Sequence, residues 1–387
     1  MKKYVSLCLL ITASLLFGQP VKTVAPDTLA AKPSDTVIPL SFGKTVFDSA
    51  LTDQARIYAG MLPFNPTRYA RLTSTKVWAA HRKLFEENWG KLDKRLQAMT
   101  QWRKTELAGI SQTGATLFYP FSGPDFLNAD VFFPDCGNSI YISLEKPGEI
   151  PKTDMSEKVF SNFLDDIRAS LSVIFTRDYF ITSYMSKQFH TQYLEGNLAV
   201  FLVFLARRDC AIVSINAIHL DSAGALAPSK AVGRKQIGGM EIQYVKASSD
   251  GAVHHLYYFP VDIQDSSLKL KPQMQAWLKS QTNMIMFTKA ASYCLHTEIF
   301  SIFRDICLRS KAVLEDDTGI PYHYFKPEEW KVSLYGKYTK PIKDFHYGFQ
   351  KDLNDAFLIP NNVKPLPYSI GYHWSDSCSS LILAIRK

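Results

Sequence analysis

The stretch Thr116-Leu-Phe-Tyr-Pro-Phe-Ser-Gly-Pro-Asp-Phe-Leu-Asn-Ala-Asp-Val-Phe-Phe-Pro-Asp135 decides the fold. Thr116 to Phe121 is β-branched and aromatic with no charge, so both of its faces can be buried, as an inner strand of a covered sheet requires. The chain then turns abruptly. Ser122 or Gly123 is placed to cap a short helix whose first position is Pro124, where a missing N–H does no harm. Strand, loop and helix in this order predict a site at the strand end, where α/β sheets keep their ligands.

Working outward, the same alternation continues downstream. Ser139 to Leu144 reads as a second strand ending at Glu145, and Met155 to Phe175 carries Phe160, Phe163, Leu164, Ile167 and Leu171 on one helical stripe. Leu194 to Leu205 reads as a buried helix and Ala211 to Leu220 as a strand. Met240–Val245 and Val253–Val261 form an expected hairpin. Lys271–Ser280 is an expected helix, Asn283–Phe287 a strand, and the stripe Leu295, Ile299, Ile302, Phe303, Ile306 a further helix. Pro367–Trp374 and Leu381–Ile385 are expected to close the sheet as an antiparallel pair. Upstream, Trp78, Phe85, Trp89, Leu92, Leu96 and Met99 recur three or four apart, which predicts a long amphipathic helix whose tryptophans pack on the following domain.

The 387 residues, 46% hydrophobic, suffice for one large domain or two ordinary ones. Met-Lys-Lys-Tyr followed by the apolar run Val5–Phe17 has the form of a signal peptide, so residues 1–18 are expected to direct export to the periplasm or beyond. No later stretch is long and uncharged enough to span a membrane. Residues 19–40, rich in Pro, Thr, Ala and Ser, read as a disordered leader, 41–110 as a helical segment and 111–387 as the α/β domain. Removing Lys2 and Lys3 from the formal charge of +8 leaves +6, spread without blocks. That pattern excludes a clustered nucleic-acid face. Five cysteines follow Cys8, in no metal-type spacing and with no disulfide framework. Cys294 and Cys307 fall in one expected helix, about 20 Å apart.

The motifs Phe118-Tyr-Pro-Phe-Ser-Gly-Pro-Asp-Phe126 and Leu314-Glu-Asp-Asp-Thr-Gly-Ile-Pro-Tyr322 resemble a family of uncharacterised secreted bacterial proteins over roughly residues 60 to 387. That family brings no established activity and hence no catalytic residue. The order of elements also resembles a Rossmann-type sheet of the methyltransferase kind, in which an acid at the position of Glu145 holds a ribose. Ser122-Gly-Pro-Asp125 departs from such a site, with one glycine and an acid near the helix start that opposes an anionic ligand. The comparison therefore implies the sheet without the nucleotide, and no cofactor is assigned.

The fold expected is thus α/β: a helical N-terminal segment on a Rossmann-like, mainly parallel sheet with an antiparallel closing hairpin. Candidate binding residues are Ser122, Gly123, Asp125, Asn128 and Asp130 after the first strand, Glu145 after the second, and Asp316, Asp317 and His323 in the second motif. Paired acids serve as general acid and base or hold a cation, whereas the favoured reading of Asp125 is that it caps or braces its own turn. Glu315, Asp316 and Asp317 read as a helix end, where the macrodipole opposes negative charge. No Gly-x-Ser-x-Gly elbow, His-Glu-x-x-His pair or phosphate loop is present, and no metal site is assigned. The leading expectation is an exported envelope protein that binds a small molecule or an envelope partner at the strand ends. The alternatives are a hydrolase using these acids with or without a divalent cation, and a structural scaffold.

Overall fold

Thr116–Pro120 is buried throughout and becomes β1, flanked by β2 (Asn138–Ser143) and β7 (Met284–Thr288), both parallel to it. The computed structural model describes residues 40–229, 237–247, 249–374 and 378–387. Three helices come first: α1 (Ser49–Tyr58), the single turn α2 (Ala70–Thr73) and the 31-residue α3 (Lys76–Glu106). After β1 follow α4 (Phe126–Phe132), β2, α5 (Glu157–Arg177), α6 (Thr182–Gln188) and α7 (Leu198–Arg207). Then come β3 (Cys210–Leu220), β4 (Leu226–Pro228), β5 (Ile237–Lys246) and β6 (Val253–Pro260), and α8 (Asp265–Lys269) and α9 (Pro272–Ser280) precede β7. The chain ends with α10 (Ser301–Cys307), β8 (Ala312–Glu315), β9 (Trp330–Gly336), α11 (Lys351–Leu358), β10 (Val363–Lys364) and β11 (Ser380–Arg386).

The eleven strands of the described residues lie in one sheet, ordered β10-β9-β11-β8-β7-β1-β2-β6-β5-β3-β4. Its centre, β8-β7-β1-β2-β6, is parallel throughout. The chain steps from β1 to β2 on one side and later returns to β7 on the other, so the strand order reverses between β1 and β7.

The period of two along β1 sorts its side chains onto two cores. Leu117 and Tyr119 join Tyr141, Ile285 and Phe287 under α1, α3, α4, α5 and α7, while Phe118 joins Ile140, Ile142, Met284 and Met286 under α8–α11. The molecule is therefore three-layered, helices on both sheet faces. Helix α3 starts where Thr75 caps it and buries Trp78, Phe85, Trp89, Leu92, Leu96, Met99 and Trp102 on one stripe. Trp102 meets Tyr335 edge-on at 4.9 Å and Phe132 at 5.9 Å, so the helical segment is built into the same core as the sheet. Each such buried apolar side chain stabilises the fold by about 1.5–3 kcal/mol.

Four expectations need correction. The sheet is mixed rather than mainly parallel: five of its strand pairings are parallel and five antiparallel among the described residues, because β3–β5 extend it as antiparallel ribbons beyond β6. The closing pair is not a hairpin of Pro367–Trp374 with Leu381–Ile385. β11 inserts between β8 and β9, antiparallel to both, and residues 367–374 form no strand. Pro367 lacks a donor and Gly371 takes φ +66°. The expected helix from Leu295 is broken into 3₁₀ turns before α10, so Cys294 and Cys307 do not share a helix, and neither is in a disulfide. Finally, Glu315 ends a strand, not a helix, and the expected conflict with a helix dipole is absent. The expected signal peptide and leader lie outside the described residues, apart from Leu40, which packs against Phe42, Ala211 and Val245.

Candidate functional site

The turn after β1 is tight because Phe121 (φ 59°) and Gly123 (φ 55°) are both left-handed. The positive φ of Gly123 favours glycine there, and a Cβ would lie 2.9 Å from Met185 Sδ of α6, which would have to shift. Ser122 turns inward and its hydroxyl donates to the Gly123 carbonyl at 2.9 Å. The helix cap is Asp125, not Ser122 or Gly123: its carboxylate accepts from the Asn128 backbone N–H at 3.1 Å and from the Asn128 amide. The Tyr119 hydroxyl donates to the other oxygen at 2.8 Å, and Lys289 Nζ, from the end of β7, sits 3.1 Å away. Lys289 also donates to the Asp178 carbonyl, and the Asp178 carboxylate lies 2.6 Å from Arg95 of α3. Asp125, Asn128, Asp178 and Lys289 are all buried. Two acids face two bases, so the network neutralises itself. Burial raises the Asp178 carboxyl above its ordinary range even against Arg95 and Lys289.

Across the β7 loop lies the second motif. Glu315 Oε2 accepts from the Ile320 N–H at 2.8 Å, while Oε1 has no partner among the described residues, and burial pushes this carboxyl well above its usual value. Asp316 accepts from Thr318 N at 3.0 Å, Thr318 Oγ1 at 2.5 Å and Ala290 N at 2.9 Å. Asp317 accepts from the Tyr293 hydroxyl, and its carbonyl takes the Gln350 amide at 2.9 Å. Burial first, and then the charge of Asp316, push the Asp317 carboxyl up to about 7. These acids hold a strained loop. Ala290, Ser292 and Tyr293 take φ of 50°, 52° and 57°, each costing about 1–3 kcal/mol unless its surroundings enforce it. Tyr372 completes the hold, its hydroxyl reaching the Ala290 carbonyl at 3.0 Å and Ser292 Oγ at 2.7 Å.

The strand-end loops of β1, β7 and β8 thus converge, bringing Ser122, Gly123, Asp125 and Asn128 to one side of the Lys289–Tyr293 loop and Asp316 and Asp317 to the other. Asp130, Glu145 and His323 do not join them. Asp130 lies toward the far end of α4 in an ion cluster with Lys246 and with Arg208 at 2.6 Å. Burial would raise its carboxyl, but those two cations outweigh burial and hold it below its ordinary value. Glu145 pairs with His190 at 2.9 Å. His323 is exposed against the Tyr324 ring. Among the described residues no group of three or more His, Cys, Asp or Glu is arranged to hold a metal ion.

A half-exposed aromatic rim covers the loops. Tyr372 meets Tyr179 at 4.7 Å and Phe345 at 5.0 Å, Phe345 meets Tyr293 at 5.9 Å, and Tyr347 stands 66% exposed beside them. Two open depressions lie elsewhere, about 500 Å³ beside Lys337 and Pro365–Ser369 and about 360 Å³ beside Arg103 and Asp135; none of the nine sequence-derived residues lines either. Sequence reasoning missed Lys289, Asp178, Arg95, Tyr293 and Tyr372. Only Lys289 carried a signal, as a lone cation directly after the apolar strand Met284–Thr288. No family model, curated protein or solved structure matches the chain.

Proposed function

We propose that this chain is an exported binding protein on a Rossmann-like sheet, taking its ligand at the strand-end rim without turning it over. Numbered along the chain without β3–β5 and β10, the strands run 3-2-1-4-5-7-6 with the last antiparallel, the order of the methyltransferase-type sheet. Export rests on the basic and apolar start of the sequence. The observation that carries the binding reading is the strained loop Ala290–Tyr293 at the β1/β7 switch point, held from below by buried acids and covered by the aromatic rim. Backbone strain of about 1–3 kcal/mol per residue, enforced by buried acids, marks a loop that must keep its shape. Catalysis is disfavoured because each acid there is buried and already paired.

The test is thermal melting of the chain from Leu40 onward with divalent cations and small envelope metabolites, repeated with Tyr372→Ala and Asp125→Asn. A compound that raises the melting point by mass action in the parent, but not in Tyr372→Ala, supports the reading. No shift with any compound, in folded protein, overturns it. One observation favours a hydrolase as second reading: a carboxyl near 7 at Asp317 is suited to general acid–base work. Turnover of ester, glycoside or phosphoester substrates that vanishes in Asp317→Asn would establish that reading.

A further inference from the structure

Independently of the strand-end loops, the antiparallel ribbon carries a polar constellation on its other core's side. The register places Ser214, Gln243 and His255 in one row across β3, β5 and β6, and Asn216, Glu241 and Tyr257 in the next. Odd-numbered residues of β5 and β6 share the face of Phe259, which belongs to the core under α8–α11. A β-bulge between Ile212 and Ser214 shifts β3 so that Ser214 and Asn216 fall on this face too. All six side chains are partly exposed. With strands about 4.8 Å apart and same-face neighbours about 7 Å apart, the grid measures roughly 10 by 7 Å.

Glu241 is its hub. Oε1 takes His255 Nδ1 at 2.8 Å, and Oε2 takes Asn216 Nδ2 at 3.2 Å and Gln243 Nε2 at 3.1 Å. Asn216 Nδ2 also donates to Ser214 Oγ at 3.0 Å. Burial would raise the Glu241 carboxyl, but the hydrogen bonds from His255, Asn216 and Gln243 outweigh it and keep the group ionised. The consequence is a fixed set of outward atoms. His255 faces Glu241 through Nδ1 and turns Nε2 outward; Asn216 spends its amide hydrogens on Glu241 and Ser214 and Gln243 spends one on Glu241, so both present carbonyl oxygens and Gln243 keeps one N–H. The array therefore turns amide and hydroxyl acceptors outward beside a spare Gln243 N–H, while its carboxylate is already bonded by His255, Asn216, Gln243 and Tyr257. The Tyr257 ring stacks near His255 at 6.0 Å, and Trp277 of α9 meets Tyr257 at 6.0 Å and Phe259 at 4.9 Å, walling one end. Phe259 also lies across Gly239, where a Cβ would stand 2.6 Å from its ring.

We propose that this face of β3, β5 and β6 binds a neutral saccharide. Planar amide, carboxylate and imidazole groups of fixed orientation suit a donor-rich polyol, and the adjacent aromatic ring suits the apolar face of a sugar ring. Rigid strands hold the geometry without an ordering cost. A free amine would be drawn to an uncompensated carboxylate, and Glu241 is not one. A face that is merely solvated, as one side of an antiparallel ribbon commonly is, predicts no selective binding.

The experiment is saturation-transfer NMR on the chain from Leu40 onward with glucose, N-acetylglucosamine, cellobiose and N,N′-diacetylchitobiose, each at about 10 mM, a range that reveals millimolar affinity. Transfer to at least one sugar is expected. It should weaken about tenfold in Glu241→Gln, which turns one of the hub's two acceptor oxygens into a donor, and in Tyr257→Ala, while Lys351→Ala on the exposed face of α11 leaves it intact. Glu241→Gln preserves size on a partly exposed face, and an unchanged melting point shows that it folds. Absence of transfer from all four sugars overturns the proposal, as does transfer that is equal in the parent and in both grid variants.

Discussion

Replacing Lys289 with methionine tests whether the switch-point network is a brace. The side chain is 3% exposed, its ammonium 3.1 Å from Asp125 and bonded to the Asp178 carbonyl. Methionine keeps most of the volume and removes only the charge and its donors, so packing contributes little. Asp125 is then left as a buried carboxylate with Tyr119 and Asn128 as donors but no cation, while Asp178 retains Arg95. Breaking a buried pair from one side costs about 3–5 kcal/mol, a large share of the usual 5–15 kcal/mol. At about 2.1 cal/mol/K per residue, the unit Thr36–Lys387 should melt roughly 4–7 °C lower. The companion Lys289→Met/Asp125→Asn removes both charges and leaves Tyr119 and the Asn128 N–H an amide oxygen to bond. It should recover about 1–3 kcal/mol relative to the sum of the singles, read from guanidinium midpoints at constant slope. A single variant costing less than about 1 kcal/mol, or a double equal to the sum, would refute the reasoning, since either means that the charges do not depend on one another.

Stability should also fall as pH rises through the range of Asp317. Its carboxyl, raised to about 7 in the folded chain, stays protonated there while the unfolded chain is ionised above about 4, so stability present at acid pH is lost up to about 7. Asp317→Asn should remove about 2–3 kcal/mol of the difference between pH 5 and pH 8, and an unchanged pH profile would count against the buried carboxyl. Gly371→Ala should cost more than about 2 kcal/mol, since its φ is +66° and a Cβ would meet Asp316 Oδ2 at 2.2 Å; tolerance in thermal melts would mean that the acid loop is loosely held. Asp130→Asn should cost about 3 kcal/mol by stranding Lys246 beside Arg208, yet leave any strand-end ligand bound with unchanged affinity, because this ion cluster lies apart from the switch point.

How far the chain could be read depended on whether a feature was local. The β1 turn was legible because an uncharged apolar run, a glycine and a proline follow one another within nine residues, and α3 was legible because its stripe repeats over about six turns. The acid loop was misplaced because Ala312–Glu315 is only four residues long, too short for its apolar run to separate strand from helix end. Pro367–Trp374 imitates a strand in its Tyr and Ile content, whereas the true partner of β11, Trp330–Gly336, hid its alternation among polar residues. Lys289, Asp178 and Arg95 were out of reach for a different reason. They come from β7, α5 and α3, and only tertiary packing sets them around Asp125.

The two proposed surfaces follow from where the molecule spends its polar groups. At the strand ends Gly123 is packed against Met185 and Asp125 stands at the start of α4, so a phosphate would meet neither free space nor a favourable field at that helix. The Asn128 and Ala290 backbone N–H groups and the Tyr293 hydroxyl are turned inward, to Asp125, Asp316 and Asp317. A loop built this way keeps its shape and offers a ligand only its outer, aromatic edge. On the β3–β5–β6 ribbon the bonding runs the other way: the carboxylate is the centre, it orients the amides of Asn216 and Gln243 and the ring of His255, and the amide oxygens remain at the surface. Buried acids that exhaust the donors around them make a support, whereas a half-exposed acid that orients its neighbours makes a recognition face.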